Sequence, residues 1–112
     1  MTSGELRRPT YFILAALIDR PLHGYAIMKT ARALSDGDVR LSTGTLFGAL
    51  DRLEEEGLVR AGALTKVDGR ARREYTLTDA GRDALAREAA RMRSAASVVE
   101  ARIAVVDLQP EA

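Results

Sequence analysis

Apolar residues recur at helical spacing in three segments of the N-terminal half of the chain. The first segment runs from Leu6 to Ile18 and contains Pro9, a residue that a helix tolerates in its first turn. The second runs from Tyr25 to Leu34. In the third, Ser42 suits the N-cap position and Gly57 supplies a stop signal. The pattern therefore predicts three consecutive helices.

The segment after Gly57 changes to the short apolar runs and turn residues that are typical of strands. Two strands are predicted, from Leu58 to Leu64 and from Arg72 to Leu77. Between them, Val67 to Arg70 contains the Asp-Gly pair of a tight turn. The sequence therefore predicts a β-hairpin after the third helix.

A last helix is predicted after Thr78, a good N-cap, because no further proline interrupts the chain before Pro110. A helix of about thirty residues is long for so small a domain and needs a surface to pack against. Its apolar residues are separated alternately by four and three positions, which is the heptad pattern of a coiled coil. These residues are Leu85, Ala89, Met92, Ala96, Val99, Ile103 and Val106.

The chain has no second long helix of its own that could pack on this heptad stripe, so we expect the last helix to form a homodimer through these residues. The alternative is that the stripe folds back onto the first two helices of the same chain. Alanine at positions 89 and 96 weakens the stripe as a dimer seam and keeps this alternative open.

The order of three helices, strand, turn and strand is the layout of a winged helix-turn-helix domain. We expect a mainly α fold with a small β-hairpin. Residues 1–78 would form the winged helix-turn-helix DNA-binding domain, and residues 79–112 a long C-terminal dimerisation helix. The third helix is the one that would enter a DNA major groove.

The composition is that of a globular protein, since 46% of the 112 residues are hydrophobic and 29% are charged. Cysteine is absent, which excludes disulfides, thiolate metal sites and thiol catalysis and suits a reducing compartment. The apolar run from Tyr11 to Ile18 is too short to span a membrane and lacks a cleavage-site pattern. We therefore expect a cytoplasmic protein without membrane contact.

Positive charge is concentrated in the hairpin. The whole chain has a net charge of only +1, from 17 basic and 16 acidic residues, so any affinity for nucleic acid must come from local clustering. Around the turn, Lys66, Arg70, Arg72 and Arg73 stand against Asp68, a local net charge of +3. Such a basic wing suits phosphate or minor-groove contact, although a solvated surface turn has the same composition.

The outer face of the third helix is small and uncharged at its N-terminal end. Hydroxyl groups there can bond phosphates or base edges, and the helix dipole favours a phosphate, although at least one hydroxyl is needed as a cap. The acidic run Glu54–Glu56 at the other end would be repelled by DNA, so the start of the helix faces the duplex. The expected DNA contacts are Ser42, Thr43, Gly44, Thr45, Phe47, Lys66, Arg70 and Arg72.

The sequence offers little for catalysis. His23 is the single histidine, and in a Pro-Leu-His-Gly turn it is more typical of a capping or packing residue than of a base or ligand. Asp36 and Asp38 lack the further carboxylates of a calcium loop, and the chain has no glycine-rich phosphate loop or nucleophile elbow. We expect a protein that is not an enzyme and uses no cofactor or metal.

Four sequence blocks resemble the PadR-type transcriptional regulators and together cover roughly Leu6 to Met92. Each block is moderately specific, and all four occur in order. The blocks are Ile13-Leu-Ala-Ala-Leu17, Pro21-Leu-His-Gly-Tyr-Ala-Ile27, Gly44-Thr-Leu-Phe-Gly-Ala-Leu-Asp-Arg-Leu-Glu54 with Glu56-Gly-Leu58, and Gly69-Arg-Ala-Arg-Arg-Glu-Tyr75 leading into Leu77-Thr-Asp-Ala-Gly81.

The resemblance implies a dimeric repressor whose third helix and wing bind a pseudo-palindromic operator on double-stranded DNA, with the C-terminal helix forming the dimer. A single C-terminal helix is similar to the short branch of the family, in which a small-molecule effector enters between the C-terminal helices and the partner's N-terminal helix. Phe47 and Gly48 replace the usual Tyr-Pro, which removes a phosphate-donating hydroxyl and leaves an apolar ring for a thymine methyl. The chain has no tryptophan, so an aromatic-stacking drug pocket is not expected.

A protein-interaction module is the competing functional class. In that class the basic wing binds an acidic partner and the long helix pairs with another protein. Salt-sensitive, sequence-dependent DNA binding favours the regulator, whereas heterodimer formation without DNA affinity favours the module. The sequence predicts the regulator and, more narrowly, a homodimeric repressor.

Overall fold

The computed structural model describes residues 5–109 as four helices and a small sheet. The helices are α1 (Arg8–Ala16), α2 (Gly24–Leu34), α3 (Thr43–Glu55) and α4 (Asp79–Leu108), and the strands are β1 (Leu22–His23), β2 (Val59–Val67) and β3 (Arg70–Leu77). This order confirms the predicted fold class, a mainly α winged helix-turn-helix with a long C-terminal helix. The first helix is shorter than the predicted Leu6–Ile18 because Leu17 already has a non-helical C-cap conformation.

Local sequence signals set both ends of α3 and the start of α4, as predicted. The Ser42 hydroxyl accepts a hydrogen bond from the Thr45 amide and caps α3. Gly57 ends that helix with a φ of +77°, and the Leu58 amide donates to the Leu53 carbonyl in a Schellman-type closure. Thr78 caps α4 by accepting from the Gly81 amide at 3.0 Å.

The predicted hairpin is present, but it belongs to a three-stranded antiparallel sheet with strand order β1-β3-β2. Asp68 and Gly69 have φ values of +52° and +77°, the pair of positive values that a two-residue hairpin turn of type I′ requires. The extra strand β1 has only two residues, and it places Leu22 opposite Tyr75 and His23 opposite Glu74. This strand was not predicted, because two residues are too few to show an alternating pattern.

The core lies where the first three helices, the roots of the wing strands and the start of α4 meet. Leu46, Ala49, Leu50 and Leu53 are buried, and their i, i+3, i+4 and i+7 spacing places them on one face of α3. Other elements contribute Ile13, Leu14, Leu17, Ile27, Val59, Tyr75 and Leu85.

Helix α4 packs on the domain only over its first turns. Ala84, Leu85 and Glu88 are buried, and the Glu88 carboxylate accepts from the Leu6 amide at 3.3 Å and pairs with Arg91 at 2.8 Å. From residue 90 to residue 109 every residue is exposed. The alternative in which the heptad stripe packs on its own chain therefore holds only for Leu85 and, in part, Ala89. The rest of α4 projects away from the domain.

Within residues 5–109, no helix has the length and hydropathy needed to cross a membrane.

Candidate nucleic-acid interface

A cleft of about 310 Å³ lies where the end of β1, the starts of α2 and α3, and strand β3 meet. It brings together four of the predicted DNA contacts, Thr43, Phe47, Arg70 and Arg72, from elements distant in sequence. Its lining residues are His23, Gly24, Tyr25, Met28, Thr43, Phe47, Arg70, Arg72 and Arg73. None of these lining residues is acidic, so the cleft carries three guanidinium groups without a carboxylate among them.

The N-terminus of α3 forms one wall of the cleft and is open to solvent. The Ser42 hydroxyl is committed to capping, because it accepts from the Thr45 amide at 3.2 Å and donates to the Thr45 hydroxyl at 2.9 Å. Thr45 keeps its own hydroxyl proton for another partner. Thr43 and Gly44 are exposed, and a Cβ at Gly44 would meet nothing within 4 Å. An anion could therefore approach this helix end closely.

Phe47 is held by the first residue of α2. A Cβ at Gly24 would lie 2.5 Å from Cζ of the Phe47 ring, so the ring occupies space that only glycine leaves free. The ring remains 39% exposed and borders the cleft. The side chain is thus positioned by packing and still has an apolar surface to present.

Arg72 contacts His23, whereas Lys66 lies outside the cleft. One terminal guanidinium nitrogen of Arg72 is 3.1 Å from Nε2 of His23, and both residues are half-buried. The Arg72 carbonyl accepts from the Thr65 hydroxyl across the hairpin at 3.3 Å. Lys66 faces Ala71 on the neighbouring strand, close to the wing tip, and is exposed.

Arg73 and the start of α2 line the cleft but were not among the predicted DNA contacts. Tyr25 is 61% exposed, and the Lys29 ammonium lies 5.6 Å from the centre of its ring. One signal could have found Tyr25. It is about 200° around the helix from the buried Ile27, which marks it as facing outward. His23 and Gly24 gave no such signal, because their place in the cleft depends on strand pairing.

Tyr75 belongs to the core and does not line the cleft. Burial raises the pKa of its hydroxyl above the ordinary value of 10.0, Arg73 lowers it, and Asp51 and Glu54 raise it. The phenol therefore stays neutral at physiological pH, and its role is packing opposite Leu22.

The predicted dimer residues fall into two groups along α4. Leu85 is 6% exposed and packs in the core of its own chain, and Ala89 is half-buried. The remaining five are exposed and keep the heptad spacing that places them along one side of the helix. These five are Met92, Ala96, Val99, Ile103 and Val106.

A larger cleft of about 730 Å³ lies on another side of the domain, between the segment before α1, the end of α3 and the start of α4. Arg7, Arg52 and Arg87 are among its lining residues. This cleft borders the C-terminal helix, near which the resemblance places an effector, and effector binding stays a prediction. Residues 5–109 contain no group of three or more side chains suited to hold a metal ion.

The chain has three helices followed by a basic two-stranded wing, and the start of the third helix shares a cleft with the wing arginines. This arrangement defines the winged helix-turn-helix class of proteins. Comparison with family models identifies one family within this class. The chain belongs to the PadR-like family of transcriptional regulators, whose model matches residues 13–87. This result favours the regulator over the protein-interaction module.

The chain is similar to two relatives of known sequence. The chain is 48% identical over 77 residues to an uncharacterized 37.1 kDa protein in transposon TN4556 of Streptomyces fradiae, covering 69% of this chain and 21% of that protein. It is 44% identical over 73 residues to the transcriptional regulator Rv3488 of Mycobacterium tuberculosis, covering 65% of this chain and 64% of that one. The chain thus spans less than two thirds of either relative.

Among solved structures, Bacillus subtilis PadR in complex with operator DNA superposes with a TM-score of 0.62. The two sequences are 25% identical, and the match covers 70% of this chain and 46% of that one. The winged helix-turn-helix fold is therefore shared with a protein whose structure includes DNA.

Proposed function

We propose that the protein is a sequence-specific DNA-binding repressor that acts as a homodimer on a pseudo-palindromic operator. The observation that carries this proposal is the cleft in which the open N-terminus of α3 meets Arg70, Arg72 and Arg73 of the wing. The likeness to a PadR protein in complex with operator DNA supports it.

In this proposal α3 enters the major groove by its N-terminal end. The amides of the first turn and the hydroxyls of Thr43 and Thr45 bond phosphates or base edges, while Ser42 maintains the cap. Gly44 allows close approach of the backbone. Phe47, held over Gly24, presents its ring edge to a thymine methyl.

The wing binds the DNA backbone beside the groove. Arg70 and Arg72 donate to phosphates at the mouth of the cleft, and Lys66 adds charge near the wing tip. Arginine suits this role because its planar guanidinium presents five N–H donors and stays charged at all physiological pH values.

The exposed half of α4 supplies the dimer. Its five exposed heptad residues would be covered by the same residues of a second copy, as in a two-stranded coiled coil. Pairing of the two helices fixes the spacing of two recognition helices to half-sites about 34 Å apart. A dimer bound at a promoter in the cytoplasm blocks polymerase, and an effector that changed the spacing of the wings would release it.

Replacing Arg70 and Arg72 together with alanine should flatten the salt dependence of DNA binding. Each lost phosphate contact lowers the log-log slope by about 0.9, so the double variant should lose up to about 2 units of slope. The measurement is a titration of a duplex enriched from random DNA, repeated at several salt concentrations.

The matched control replaces Arg20 and Arg87, which change the net charge equally and do not line the cleft. This control should retain the wild-type slope. Equal slopes for the wild type and the Arg70/Arg72 variant would remove the wing from the interface.

A further inference from the structure

The contact between His23 and Arg72 joins the wing to the helix-turn-helix. In the register of β1 and β3, His23 lies directly opposite Glu74, and Arg72 is its diagonal neighbour on the same face of the sheet. Nε2 of His23 and a terminal nitrogen of Arg72 are 3.1 Å apart. The two-residue strand β1 therefore brings a side chain from the start of α2 onto a predicted DNA-contacting arginine.

The chemistry of the two groups allows a hydrogen bond between them in only one direction. A guanidinium has five N–H donors and no acceptor, so a hydrogen bond between these nitrogens requires Nε2 of His23 to accept. The ring must then be neutral, with its proton on Nδ1. Protonation would turn Nε2 into a donor and set two positive charges about 3 Å apart, and the contact would be lost.

The same short segment also positions the recognition helix. Gly24, the residue after His23, leaves the space that the Phe47 ring of α3 fills. The wing and α3 are thus aligned by adjacent residues of one chain segment. While one N–H of Arg72 is directed to His23, the other four remain for DNA.

We propose that His23 is a positioning residue for DNA recognition, which in its neutral form holds the Arg72 guanidinium in register with α3. This inference rests on the proposed function. Protonation of His23 releases Arg72 and lowers the preference of the protein for its operator over unrelated DNA, so that operator recognition becomes sensitive to pH.

His23 can be tested cleanly because it is the single histidine of the chain. Among side chains, histidine is the one whose unperturbed pKa lies between pH 5 and 8. Glu74 lies opposite His23 in the sheet, and Arg70, Arg72 and Arg73 of β3 and Tyr25 of α2 line the same cleft as His23. The Lys29 ammonium lies over the Tyr25 ring, and α3 contributes the uncharged Thr43 and Phe47.

The first test reads the tautomer of His23 by nitrogen NMR of the free protein at pH 7.5. We expect the proton on Nδ1 in the wild type, and a shift toward the Nε2–H form in an Arg72→Met variant that cannot donate. An Nε2–H tautomer in the wild type would overturn the proposal. This test needs no DNA and is therefore independent of the proposed function.

The second test measures the ratio of affinities for the enriched duplex and for an unrelated duplex at pH 7.5 and 5.5. In the wild type the ratio should fall at least about tenfold on acidification, the size of one hydrogen bond to a charged group. His23→Gln retains an acceptor that does not titrate, so its ratio should be close to wild type at pH 7.5 and independent of pH. Arg72→Met should have a lower ratio that no longer changes with pH.

A wild-type protein that selects its operator with the same ratio at both pH values would overturn the role of His23 and leave the proposed function intact. Equal pH profiles for the wild type and His23→Gln would do the same. A wild type that prefers no sequence at pH 7.5 would instead overturn the proposed function, together with the inference that rests on it.

Discussion

A Val99→Asp variant should be monomeric and should lose high-affinity binding to its operator. Val99 is 56% exposed in the single chain and lies in the middle of the heptad stripe on the projecting half of α4. In a dimer closed through this stripe, each carboxylate would be buried without a partner, at a cost of several kcal/mol per dimer. Sedimentation and DNA titration on the same samples measure both effects.

The structure also predicts that the Val99→Asp monomer remains folded. The core is closed by the first turns of α4, and no residue from 90 to 109 takes part in it. Ser97→Asp is the matched control, because it adds the same charge two residues away, about 200° around the helix. The control should stay dimeric and bind DNA normally. A dimeric Val99→Asp protein with normal affinity would show that α4 pairs through another face.

A Gly81→Ala variant should lose about 3 kcal/mol of stability, a large part of the 5–15 kcal/mol typical of a small domain. A Cβ at position 81 would overlap the carbonyl oxygen of Leu58 and lie 2.7 Å from Cδ1 of Leu77. Because the obstacle includes backbone, the start of α4 would have to move away from the root of the wing. Urea denaturation measures the loss.

Gly48→Ala provides the control of opposite sign. Gly48 also lies within a helix, but a Cβ there would meet nothing within 4 Å. Removing its backbone freedom should stabilise the protein by about 1 kcal/mol. If Gly81→Ala were as stable as the wild type, the close packing of α4 on the wing root would be contradicted.

The sequence predicted elements whose causes are local. Ser42 and Thr78 cap their helices with their own side chains, and Asp68–Gly69 forms the hairpin turn with its own backbone. Such signals depend on a few neighbouring residues and need no knowledge of the rest of the fold.

Features that depend on distant residues were not predicted. Strand β1 exists only because Leu22 and His23 meet β3, some fifty residues later in the chain. Leu34 lies at helical spacing from the buried Ile27 and Ala31, yet it is 53% exposed. Leu85 was assigned to the dimer stripe, yet it packs in the core of its own chain.

The candidate site also has parts that the sequence could predict and parts that it could not. Helical position and charge alone indicated Thr43, Phe47, Arg70 and Arg72, and the fold brings them into one cleft. The replacement of the family's usual Tyr-Pro by Phe47 and Gly48 could be read from the sequence, but the packing of the Phe47 ring on Gly24 could not. That contact requires the angle between α2 and α3, which no local pattern contains.

A Thr43→Glu variant is the negative control for DNA recognition. The added carboxylate would lie at the open end of α3, where it should repel a phosphate and weaken operator binding at least about tenfold. Near a helix N-terminus a negative charge is stabilising, so the fold should be retained. Thr43→Gln has the same side-chain size without the charge, and it should bind much more tightly than Thr43→Glu.

Selection of bound duplexes from random DNA by the purified protein tests most directly whether the protein recognises DNA as a dimer through α3 and the wing. The expected result is enrichment of one pseudo-palindrome with half-sites centred about 10 base pairs apart, or a multiple of this spacing, by the wild type and not by Thr43→Glu. Enrichment of no sequence, of an unrepeated single site, or of the same sequence by both proteins would contradict it.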